Sequence, residues 1–132
     1  MHAAKFNGMR GALAGLLFVM ALTGVASAHH TISAVYDVSQ RTTLNGVITD
    51  VEWKQPHVII HVDVRGANGS VVWDVETQGA FNLKQRGLSA DFVKPGETVT
   101  VTVCVAKDGS HKGWLHEIVS PAGTTLFSAG GC

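Results

Sequence analysis

The chain has 132 residues, 45% of them hydrophobic, with ten basic residues, ten acidic residues and seven histidines. That length holds one small domain at most. The even charge balance argues against the basic face on which nucleic-acid recognition usually rests.

Residues 1–28 read as a secretory signal peptide. Lys5 and Arg10 supply a positive start, residues 11–22 supply an apolar run, and Ala26-Ser27-Ala28 fits a small-x-small cleavage site. The apolar run falls short of the about 20 residues a membrane span needs. Cleavage removes two basic and no acidic residues, leaving eight basic against ten acidic and a net charge of about −2 with histidine neutral. The expected destination is the periplasm or the medium, with no membrane span after cleavage and no nucleic-acid partner. In that oxidising setting a Cys104–Cys132 disulfide is one option, and it would add roughly 3–4 kcal/mol by loop entropy. A small strand residue at Cys104 and a free tail thiol at Cys132 are the other. The residues do not choose between them.

A leader spans residues 29–41, extended or loosely turned, with Val35 and Tyr36 as docking residues. The first strand is expected over Thr42 to Trp53. Its apolar phase shifts near Gly46, from Leu44 to Val47, Val51 and Trp53, which predicts a β-bulge at the glycine. A Pro56 turn then leads into a second strand, His57 to Val64. Val58, Ile60, Val62 and Val64 share one face, and His57, Ile59, His61 and Asp63 share the other. Asn68-Gly69 predicts a type I′ hairpin. The third strand, Val71 to Glu76, points Val71, Trp73 and Val75 inward and Asp74 and Glu76 outward. Gly79 to Gly87 reads as a short helix, with Phe81, Leu83 and Leu88 plugging a barrel end and Gly87 as its stop. Pro95-Gly96 predicts a type II turn. The fourth strand alternates Val99, Val101, Val103 and Val105 with Thr98, Thr100, Thr102 and Cys104. A fifth runs from about Gly113 to Val119. Thr124 to Phe127 is a candidate edge strand, and residues 128–132 are expected to be a flexible tail.

Three strands, a short helix and two strands give a mainly β fold, a small five-stranded OB-fold-like barrel with the helix between strands three and four. The barrel domain is expected over residues 42–127, and a small antiparallel sandwich is the alternative.

Several motifs together resemble a bacterial family of small exported proteins of unknown function. They are Ala28-His29-His30 with a following hydroxyl, Thr43-Leu44-x-Gly46, Trp53-x-x-Pro56-His57, Trp73-x-Val75-Glu76, Arg86-Gly87, Lys94-Pro95-Gly96-Glu97 and Ala106-Lys107-Asp108-Gly109. Gln55 stands where that family often has Asn, and Thr31 where it usually has Ser. The resemblance implies an exported OB-like domain and no established activity.

Six histidines remain after processing: His29, His30, His57, His61, His111 and His116. A mature N-terminal His29 offers its amine and its imidazole to one ion. A third nitrogen from His57, or from His30 through the intervening amide, would complete the square geometry that Cu(II) favours. His61 lies four residues beyond His57, about 13 Å along a strand, so those two do not chelate. Glu76 and Asp74, outward on the neighbouring strand, are candidate orienting partners. The same residues also read as a solvated terminus, a corner histidine and an exposed strand histidine. Trp53, Trp73 and Trp114 suit either a stacking platform or the core, and the inward phase of Trp53 and Trp73 favours core. No catalytic constellation accompanies these groups, since no nucleophile, nucleotide loop or HExxH spacing is present. The reading is an exported binding protein for a small ligand, a metal ion (copper) or a periplasmic protein. Alternatives are a copper redox enzyme or accessory protein, and a docking module without metal.

Overall fold

The structure is a computed structural model and describes residues 32–132. The expected signal peptide, His29 and His30 lie outside the described residues. Among the described residues, 32–35 are helical rather than extended, and six strands and the helix α1 follow in the order β1 (Tyr36–Glu52), β2 (Ile59–Gly66), β3 (Gly69–Glu76), α1 (Ala80–Gln85), β4 (Thr98–Ala106), β5 (Lys112–Val119) and β6 (Thr125–Ser128). The fold is mainly β. No helix among the described residues is long and apolar enough to cross a membrane.

The sheet order is β3-β2-β1-β4-β5-β6, and β3 also pairs with β5. That last contact is parallel and short, covering Asp74–Glu76 against Lys112–Trp114, while the other pairings are antiparallel. Hydrogen bonds therefore run from β1 through β2, β3, β5 and β4 back to β1. β6 lies outside this circuit, on the edge of β5 that β3 leaves beyond Trp114. The strand count is six rather than the expected five, because residues 125–128 pair with β5 as well as ending the chain's last turn.

One apolar cluster fills the interior. Ile60, Val62, Val75, Val101, Val103, Leu115 and Ile118 are fully buried in it, and Leu83 of α1 closes one end. Each such side chain contributes roughly 1.5–3 kcal/mol on leaving water. α1 turns Leu83 inward. Phe81 precedes it by two residues, about 200° around the helix, and is 61% exposed. The expected plug is therefore Leu83 with Leu88, and Phe81 faces outward.

β1 departs from expectation at both ends. It begins at Tyr36, inside the stretch read as a leader, and its first half pairs only with β4. Most of residues 37–41 are exposed, so they carry no apolar alternation to read. The expected bulge also moves. The register against β2 slips between Ile48 and Asp50, not at Gly46. Leu44 and Ile48 share the buried phase, and Val47 is exposed. Gly46 serves close approach instead: a Cβ there would meet the Asp63 carbonyl oxygen at 2.5 Å and Val62 Cγ1 at 2.6 Å. The β2–β3 hairpin pairs Gly66 with Gly69 across Ala67 and Asn68, and only Gly69 has positive φ, at 114°. A type I′ turn needs positive φ at two residues, so it does not form.

A second, smaller cluster lies on the opposite face of β4. Cys104 and Ala106, on the face expected to be polar, are buried there with Tyr36 and Trp114. Cys104 and Cys132 are joined, with Cα atoms 6.3 Å apart. The tail expected to be flexible is thus fastened at its tip.

Candidate functional site

The corner after β1 positions His57. It contains a cis Gln55–Pro56 bond. The Val58 N–H donates to the Gln78 carbonyl at 3.2 Å, the Thr77 N–H to the Val58 carbonyl at 2.9 Å, and the Ala80 N–H to the Lys54 carbonyl at 3.1 Å. These bonds clamp residues 54–58 against the segment between β3 and α1. Gly79 sits so close that a Cβ would run into the Pro56 carbonyl. The clamp brings His57 beside Glu76, the last residue of β3.

Glu76 then links three elements. One carboxylate oxygen meets His57 Nδ1, and the other accepts the Tyr36 hydroxyl. The His57 ring stands edge-on to Trp114, with centroids 5.2 Å apart, and Tyr36 lies 6.0 Å from the same indole. Tyr36 is 4% exposed. Burial, then the hydrogen bond and charge of Glu76, with Asp74 and Asp108 further off, hold its phenol well above the ordinary tyrosine value. Tyr36 therefore stays a donor. A carboxylate on Nδ1 fixes the imidazole tautomer and leaves Nε2 as the available lone pair when the ring is neutral. Among the described residues no hydrogen-bond partner for Nε2 is present, and the side chain is 37% exposed.

These groups wall a cleft of about 740 Å³. Tyr36, His57, Glu76 and Trp114 form one side. Gln78, Asn82 and Arg86 form a polar side, and Ile32, Val35 and the tail from Ala129 to Cys132 complete it. Arg86 is held by its bond to the Ser128 carbonyl at 2.9 Å and by its place over the Phe127 ring. Among the described residues no three His, Cys, Asp or Glu side chains converge as an ion would require. An ion at His57 needs donors from elsewhere.

The other predicted residues sit apart. Asp74 does not face His57. It accepts from His61 Nδ1 at 2.8 Å, while His61 Nε2 meets Glu52 at 2.8 Å and Lys54 pairs with Glu52. Both His61 nitrogens are thus engaged. His111 packs edge-on to Trp73, and the buried Nδ1 of His116 has no hydrogen-bond partner among the described residues. Trp53 and Trp73 are half-buried against the main core, and Trp114 is buried in the smaller cluster.

Burial pulls the His61 imidazolium down, but hydrogen bonds to Glu52 and Asp74 and their charges outweigh it, and the net direction is up. Lys54 first and His61 second hold the Glu52 carboxyl below its ordinary value. A raised histidine stabilises the fold fully below its ordinary value of 6.5 and loses that effect as pH rises through the raised value. A lowered carboxylate stabilises above its ordinary 4.5 and loses it on acidification. His61→Gln should therefore cost more melting temperature near pH 5.5 than near pH 8.5, roughly a unit or two either side of the ordinary imidazole value. Equal losses at both values would show that the cluster is not charge-paired.

The fold and the cleft define a small β protein with a histidine, a carboxylate and a tyrosine coupled at one end of its sheet. The chain belongs to the family of unknown function DUF6152, which matches residues 16–116. The expected resemblance holds at that level, to a family without assigned function. Among curated proteins none matches the chain. Among solved structures, the mitochondrial single-stranded DNA-binding protein Rim1 of S. cerevisiae is similar at 15% identity and a TM-score of 0.46, over 68% of this chain and 97% of that one.

Proposed function

We propose that this is an exported bacterial OB-like binding protein that takes Cu(II) at the His57 cleft, with donors from a processed N-terminus at His29. One observation carries the reading. His57 is oriented by Glu76, itself held by Tyr36, on the wall of a cleft that Ile32 also lines. Ile32 is three residues beyond His29, and three residues span at most about 10 Å. The chain is long enough for a terminal amine and imidazole at His29, with His30 beside them, to meet His57 Nε2. Nitrogen donors in that number suit Cu(II). A carboxylate on the far nitrogen of a ligating imidazole raises its basicity and fixes its direction.

The OB-like barrel is supported by the closed pairing of β1, β2, β3, β5 and β4 and by α1 lying between β3 and β4. β6 is then an addition to the barrel. Export is supported by the residue pattern of positions 1–28, and the Cys104–Cys132 disulfide suits an oxidising periplasm. A net charge of about −2 after processing favours a partner other than nucleic acid.

A docking module without metal is the second reading. It is favoured by the edge of β3, where pairing with β5 stops at Asp74 and leaves Val71 and Val72 exposed beyond it.

The test is a Cu(II) titration of processed protein whose native His29 terminus is verified by mass, beside a form carrying one Gly before His29. Tight one-to-one binding is expected in the first form, lost in the second and weakened by His57→Ala. Equal weak binding in both forms would overturn the copper reading.

A further inference from the structure

The Cys104–Cys132 disulfide joins two unlike ends. Cys104 is fully buried in β4, paired across the strands with Trp114. Cys132 is only half-buried and sits on a short arm. Among the described residues the last backbone anchor of that arm is the Ala129 N–H, which donates to the His116 carbonyl at 2.7 Å. Beyond it come Gly130 and Gly131, where an added Cβ would meet nothing within 4 Å. The sulfur bridge is therefore what holds the arm's tip. The arm from Ala129 to Cys132 is also one wall of the His57 cleft, and Cys132 packs on the cluster that contains Trp114.

We propose that this disulfide is a thiol–disulfide exchange site for a dithiol protein of the same compartment, and that its reduction releases the arm and opens the cleft. Access decides which sulfur is attacked, and Cys132, the partly exposed residue of the pair, is the accessible one. A partner thiolate attacks Cys132 Sγ, the bond to Cys104 breaks, and Cys104 leaves as a thiolate that takes up a proton. The partner's second thiol attacks the mixed disulfide and releases Cys132, which is protonated in turn. Two electrons pass to this chain, and the partner is left with a disulfide. With the bridge cut, Gly130 and Gly131 let the arm swing, because glycine restricts the backbone least. Trp114, 6% exposed beneath the arm, then meets solvent. The inference does not rest on the copper reading, since neither the exchange nor the opening involves a metal.

The test treats the oxidised full chain with reduced glutathione, traps thiols by alkylation and maps adducts by mass. In parallel, acrylamide quenching of Trp114 is followed in a Trp53→Phe, Trp73→Phe background, oxidised, reduced with dithiothreitol, and as Cys132→Ser. Thermal melting accompanies each form. The expected results are a glutathione adduct on Cys132, a cooperative melt in the reduced chain and in Cys132→Ser, and an increase of about twofold or more in Trp114 quenching in both, the sign of local opening. An adduct on Cys104, no reduction short of unfolding, unchanged quenching, or loss of the cooperative melt in both open forms would each overturn the proposal. In the last case the bridge holds the fold together instead of strapping the cleft.

Discussion

Replacing Glu76 by Gln is expected to weaken Cu(II) binding by about 10–100-fold, the usual cost of losing the group that orients a ligating histidine. The substitution keeps the size of the side chain and removes its charge. His57 Nδ1 and the Tyr36 hydroxyl both lose the carboxylate that holds them. Competition against a chelator of known affinity reads the change, with Tyr36→Phe beside it as the milder lesion. A Glu76→Gln protein that binds copper as the natural chain does would show that Glu76 does not orient a copper ligand. The same variant has a second readout that needs no metal. Tyr36 is the single tyrosine of the chain, so phenolate absorbance reports it alone. Burial is the main cause of its raised value and Glu76 the next. Glu76→Gln should therefore lower the Tyr36 midpoint while leaving it above the ordinary value. The sign for stability follows. A raised phenol favours the fold below its ordinary value of 10.0, and the benefit is lost as pH rises through the raised one. The variant should unfold less steeply in alkali.

The second large effect concerns the core. Leu115 is fully buried on β5, opposite Val103, and its neighbour Trp114 points to the other face, into the cleft cluster. Leu115→Ala should cost about 2–5 kcal/mol, through lost transfer energy and the cavity left behind. At about 4–8 °C per kcal/mol for a domain near this size, the melting temperature should fall by about 8 °C or more. Phe81→Ala is the control. Phe81 is 61% exposed, and a surface change of that kind should stay within about 0.5 kcal/mol. A comparable loss at Phe81 would contradict its place on the outer face of α1.

Much of the fold was legible because strands with one buried face advertise it. β4 alternates valine with threonine and lies where the alternation put it, and the three strands, helix and two strands follow in the expected order. One misreading arises because hydrophobic pattern reports burial and not hydrogen bonding. Tyr36 and Arg41 pair with β4 across a register shift, and most of the side chains of residues 37–41 face water, so nothing in their composition marked them as strand. The bulge was assigned to the glycine although Ile48, on the phase of Leu44, already placed the slip after it. Within the candidate site, His57 stood out through its turn and Glu76 through its place on the next strand. Tyr36 did not, because the fold alone joins it to Glu76 across 40 residues. Trp114 was one of three tryptophans with no mark of its partner. The disulfide was undecidable from spacing, since pairing depends on where the tail ends in space.

The most direct test of the central claim is electron paramagnetic resonance of the one-to-one Cu(II) complex of the processed chain, with and without His57→Ala, each with the histidine imidazoles labelled with nitrogen-15. The account predicts nitrogen splitting from both the terminal His29 and His57 in the natural chain, with the His57 contribution missing in the variant. Identical spectra from the two proteins would contradict it and would leave the cleft without a copper site.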